Sequence, residues 1–99
     1  MSPDITPDEV KQRLENGITF HFIDVREEWE YEESNIGAQL LPLGDLPTRL
    51  EEIIHLKEEE VVVHCKSGKR SGQAKKFLTS RGFTNVRSME GGIEAYLNS

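Results

Sequence analysis

The chain has 99 residues, 35% of them hydrophobic and 30% charged, a size and composition that suit one small folded domain over 1–99 and exclude a disordered chain. A net charge of −6 argues against general nucleic-acid binding, and no apolar run is long enough to span a membrane. The single cysteine, Cys65, excludes an internal disulfide, a CxxC redox pair and a cysteine-rich zinc site.

The opening "MSPDITPDEV" has neither a basic flank nor an apolar core, so it does not read as a secretory signal, and a cytoplasmic protein is expected. "ITPDEVKQRLENG" predicts a helix with Thr6 as N-cap, Pro7 in the first turn and Glu9 completing a capping box. Ile5 and Val10 occupy the hydrophobic-staple positions, and Gly17 stops the helix. Ile18 to Val25, "ITFHFIDV", predicts a strand buried on both faces. "EEWEYEE" predicts a short acidic helix, "QLLPL" a brief strand, and "LPTRLEEIIHL" a further helix. "EVVVHC" (Glu60 to Cys65) reads as the centre of a parallel sheet. "SGQAKKFLTSRG" predicts a helix with Ala74, Phe77 and Leu78 on one face, "NVRSM" a strand, and "GGIEAYLNS" a last helix. Strands alternating with helices imply an α/β fold, with ligands bound beyond the carboxyl ends of the strands. Cys65 ends the central strand and falls in that crevice.

From Cys65 to Arg81 there are six cations and no acid, in a chain with 12 Lys and Arg in all. The loop "CKSGKRS" supplies Lys66, Lys69 and Arg70, with Gly68 to turn the chain and small residues, Ser67 and Ser71, to keep a pocket open. A loop of backbone N–H groups ahead of a helix N-terminus favours anions, and it favours a thiolate for the same reason. The loop is therefore expected to lower the Cys65 pKa and to hold an anionic substrate against the sulfur. His64 is a poor candidate for a general base, because strand neighbours point to opposite faces. His21 and His55 read as ordinary strand and helix-surface residues.

Taken together, "IDVREEWEYEE", "VVVHCKSGKRS" and "LTSRGFTNVRSMEGGIEAYL", after an opening "ITPDEVKQRL", resemble the rhodanese-like family of thiosulfate sulfurtransferases along nearly the whole chain. The resemblance implies a three-layer fold, a parallel sheet of about five strands with helices on both faces. It implies that Cys65 attacks the outer sulfur of a small anionic donor such as thiosulfate and becomes a persulfide held by Lys66, Ser67, Gly68, Lys69, Arg70 and Ser71. A thiol, cyanide or a protein acceptor then removes the sulfur. Asp24 and Arg26 are expected to support the loop, with Arg26 alternatively lining the pocket mouth. No cofactor or metal is expected, no membrane or nucleic-acid partner, and nothing demands more than a monomer. Two departures from the family pattern fall at Asn35, where relatives carry a histidine, and at Tyr96, where a tryptophan is common.

The same thiol chemistry would serve a persulfide carrier in a protein sulfur relay, with the acidic patches "REEWEYEE" and "EEIIHLKEEE" as docking surfaces for a basic partner. A cysteine phosphatase is a weaker alternative, because its loop places five residues between cysteine and arginine. Here four residues separate Cys65 from Arg70. A non-catalytic binding module would have no use for the cysteine and its basic loop.

Overall fold

In the computed structural model, which describes residues 1–99, the run Val61, Val62, Val63 forms the middle of β3 (Glu60–His64). β3 pairs in parallel with β1 (His21–Asp24) on one side and with β4 (Asn85–Ser88) on the other. β2 (Gln39–Leu40) extends the sheet beyond β1, giving the order β2-β1-β3-β4. The sheet thus has four strands where about five were expected. In the fifth position, beside β4, the N-terminal segment makes only a single parallel bridge, Ile5 to Met89. The Ile5 N–H donates to the Ser88 carbonyl at 3.0 Å and the Glu90 N–H to the Ile5 carbonyl at 2.9 Å. Thr6 then caps a helix, and the chain leaves the sheet.

Because strand side chains alternate, β3 feeds two cores. Val61, Val63 and Cys65 pack with Ile23, Val25, Leu46, Ile53, Ala74 and Leu78 on one face. Val62 packs with Phe22, Ile5, Val10 and Met89 on the other. The first face is covered by α4 (Lys69–Ser80) and the segment from α3 (Leu46–Arg49) to Leu56. The second is covered by α1 (Pro7–Glu15) and α5 (Gly92–Leu97). α2 (Glu28–Glu33) follows the carboxyl end of β1. No helix is long and apolar enough to cross a membrane.

Three local expectations change. Thr6 Oγ1 accepts the Glu9 N–H at 3.2 Å, but the Glu9 carboxylate turns to Arg13 and Arg87 instead of closing the capping box. The strand expected from Ile18 begins only at His21, where partners on β3 become available. "LPTRLEEIIHL" is one turn of α-helix followed by two 3₁₀ turns, Leu50–Glu52 and Ile54–Leu56. A three-residue turn returns Leu56 to the face of Ile53, so both reach the core while Ile54 stays outside.

Candidate active site

The break between β3 and α4 is built by sequence. β3 ends at His64, Cys65 follows, and Gly68 takes φ +102°, a conformation that favours glycine, immediately before α4 starts. The loop folds back so that its N–H groups converge on the sulfur. Cys65 Sγ accepts the Gly68 N–H at 3.1 Å and the Ser71 N–H at 3.3 Å, and lies 3.4 Å from Ser71 Oγ. Ser71 Oγ is itself 2.7 Å from Ser88 Oγ on β4. Cys65 is 1% exposed, so burial pushes its thiol up. The Ser71 hydroxyl and the N–H groups of Ser71, Gly68 and Ser67 outweigh that burial, and the net direction is down.

The expected contribution of the cations is divided. Lys66 and Lys69 are exposed, and the thiol is brought down chiefly by the hydroxyl and the N–H dipoles, while the Arg70 charge attracts the thiolate. Arg70 is held by Glu30 on α2 through two bonds of 2.7 and 2.9 Å. Glu30 also accepts the Glu27 N–H at 3.0 Å. The Arg70 hydrogen bonds, helped by the Glu27 N–H and by the charges of Arg70 and Arg26, outweigh burial and bring Glu30 down to about 2. The loop is therefore strapped to α2 by a charge-assisted, bidentate pair.

A second brace comes from α5. The Ile93 N–H donates to the Cys65 carbonyl at 2.8 Å and the Glu94 N–H to the Lys66 carbonyl at 3.1 Å. Gly92 makes this approach possible, because a Cβ there would stand 2.4 Å from the Lys66 carbonyl carbon and oxygen.

Asp24, fully buried, binds the Arg26 side chain at 2.8 to 3.1 Å and accepts its N–H at 2.9 Å. Arg26 also donates to the Ser34 carbonyl at 2.7 Å, tying the end of β1 to the end of α2. Arg26 also lines the groove beside Lys66, the second place considered for it, whereas neither it nor Asp24 hydrogen-bonds the Lys66–Ser71 loop they were expected to support. His64 is fully buried on the sheet face opposite the sulfur, against Phe22 with ring centroids 5.1 Å apart. Burial pushes its pKa down, with Asp24 opposing, and its Nε2 lies 3.5 Å from Asp24 Oδ2 without a hydrogen bond. At the two departures, Asn35 accepts the Gly37 N–H at 3.0 Å and shapes a turn, while Tyr96 packs in the second core beneath Lys11.

Ser88 and the Glu30–Arg70 strap were not read from the sequence as parts of the site. Ser88 carries no motif, only a place at the carboxyl end of the strand beside β3. Glu30 caps the Glu27 N–H at the start of α2, but its arginine lies 40 residues away, beyond the reach of any local pattern.

Comparison with known proteins agrees with this architecture. Residues 6–99 match the rhodanese-like domain. The thiosulfate sulfurtransferase PspE of Escherichia coli (strain K12) is 36% identical over 72 residues, 72% of this chain and 69% of that protein. YrkF of Bacillus subtilis (strain 168), named as a candidate sulfur carrier, is 32% identical over 92 residues, 92% of this chain and 49% of that protein. A tRNA uridine(34) hydroxylase of Yersinia pestis (strain Pestoides F) is 32% identical over 94 residues, 90% of this chain but only 26% of that protein. The human single-domain sulfurtransferase TSTD1 superposes with a TM-score of 0.84 at 27% identity, over 100% of this chain and 98% of that one. With a four-stranded parallel sheet layered by helices and a family match across nearly all of its length, the chain belongs to the rhodanese-like domain family.

Proposed function

We propose that this chain, as a single domain, is a sulfurtransferase that carries sulfane sulfur on Cys65. The observation that carries the reading is the set of polar groups around Sγ, two N–H groups that donate at 3.1 and 3.3 Å and, at 3.4 Å, a hydroxyl that accepts from the thiol and can donate to the thiolate, at the start of a 12-residue helix. Such a cradle stabilises a sulfur anion, which describes both the attacking thiolate and the persulfide that follows. With thiosulfate as donor, the thiolate attacks the outer sulfur, the donor's S–S bond breaks, and sulfite leaves with the electron pair. Cyanide or a thiolate then attacks the outer sulfur of the persulfide, returns the electron pair to Sγ and restores the thiolate. Lys66 and Lys69, both exposed beside the loop, draw in the dianion and help sulfite to leave; Ser67 and Gly68 supply loop N–H groups, and Arg70 holds the loop. No cofactor enters either step.

The test is steady-state formation of thiocyanate from thiosulfate and cyanide by the wild type and by Cys65→Ser. Turnover in the wild type and none in the variant is expected; equal turnover in both overturns the reading. Efficient transfer from a protein persulfide with poor thiosulfate turnover assigns the chain to a relay as a carrier.

A further inference from the structure

Trp29, the chain's only tryptophan, is 66% exposed and Leu97 is 63% exposed. Both line a groove of about 410 Å³ between α2 and α5, together with Ile93, Glu33, Glu94 and Lys66. The groove adjoins the cysteine loop at Lys66, the one loop residue that lines it, and its α5 wall donates N–H groups to the carbonyls of Cys65 and Lys66 at 2.8 and 3.1 Å. Of its charged lining, Arg26 is spent on Asp24 and Glu30 on Arg70, which leaves two carboxylates without an ion-pair partner, Glu33 and Glu94, against one unpaired cation, Lys66, at the loop end; Glu28 and Glu32, also unpaired, lie on the same short helix as Glu33. A small sulfur-donating anion has no use for an exposed indole between carboxylates. A polypeptide with an apolar side chain and cations does, because a buried aromatic anchor supplies affinity and the charges supply orientation and encounter rate.

Resting on the sulfurtransferase reading, we infer that the Trp29–Leu97 groove docks the protein that takes sulfur from Cys65, through a segment in which a cysteine is flanked by an apolar residue and by Lys or Arg. The segment's apolar side chain lies against Trp29 and Leu97, its cations face Glu33 and Glu94, and its thiol reaches the loop at Lys66. Transfer balances without an external oxidant. The acceptor thiolate attacks the outer persulfide sulfur, the bond to Sγ breaks, Sγ keeps the electron pair, and the acceptor leaves as the persulfide.

The experiment uses wild type, Trp29→Ala and Glu33→Lys, each loaded with sulfur and desalted. Each is offered cyanide, a synthetic decapeptide containing Leu-Lys-Cys-Lys, or the same peptide with Glu for each Lys, and loss of the sulfur is followed by intact mass. Wild type is expected to unload to the cationic peptide about tenfold faster than to the acidic one. Trp29→Ala and Glu33→Lys each lose most of that advantage while unloading to cyanide at the wild-type rate. Equal rates with both peptides, or variants that keep the preference, overturn the proposal. If the wild type never loads, the sulfurtransferase reading fails separately, and the groove is tested by Trp29 fluorescence. A cationic peptide with Ser for Cys is then expected to shift the emission in a saturable, salt-sensitive manner, and no shift overturns the docking proposal.

Discussion

Replacing Glu30 by Gln removes the charge from the strap while keeping an oxygen that can accept the Glu27 N–H. The drop of Glu30 from its ordinary 4.5 to about 2 corresponds to roughly 3 kcal/mol of preference for the folded, ionised state. The Arg70 side chain is 32% exposed, so solvent screening leaves about 1–2 kcal/mol of that as stability. A carboxylate with a depressed folded pKa contributes fully above its unfolded pKa and loses its contribution as pH falls toward the folded value. Glu30→Gln is therefore expected to be less stable than the wild type by about 1–2 kcal/mol at neutral pH, with more than half of the difference gone by about pH 3. Urea denaturation at several pH values, followed by Trp29 fluorescence or circular dichroism, measures it. A difference that stays constant from pH 7 to pH 3 would refute the reasoning, since it would come from packing and not from the charge.

The sulfur cradle makes further predictions. Ser71→Ala removes one donor from Sγ and strands the buried Ser88 hydroxyl, so the midpoint of the alkylation rate against pH should rise by about one unit, with about 1–3 kcal/mol lost in stability. Lys66→Ala and Lys69→Ala should raise the thiosulfate KM several-fold and leave that midpoint nearly in place, because the dipoles of the loop lower the thiol pKa; a large midpoint shift in either variant would return the role to the lysines. Gly92→Ala puts a Cβ into the Lys66 carbonyl at a φ of +65°, and should cost upward of about 2 kcal/mol in urea melts together with a slowed reaction at Cys65.

Much of this was legible because the signals are local. The valine run before Cys65 announced the central strand, and the Gly-containing basic loop announced an anion site at its carboxyl end. The alternation that sent His64 away from the sulfur follows from strand geometry alone. The strap between Glu30 and Arg70, the Ser71–Ser88 pair and the Asp24–Arg26–Ser34 anchor depend on tertiary approach, which no local pattern encodes. The loop cations illustrate the difference. Their charge was visible in the sequence, but the sequence could not show that Arg70 turns to α2 and that Lys66 and Lys69 stay in water. The fifth strand failed for a similar reason, because Ile5 makes its bridge and Thr6 with Pro7 then commits the chain to α1.

The central claim, that Cys65 carries sulfur, is tested most directly by the intact mass of the protein after incubation with thiosulfate in the absence of reductant. A gain of one sulfur atom in the wild type, removed by cyanide and missing in a folded Cys65→Ser variant, is the predicted result. The same gain in Cys65→Ser, or no gain in the wild type from either thiosulfate or a protein persulfide, would contradict it.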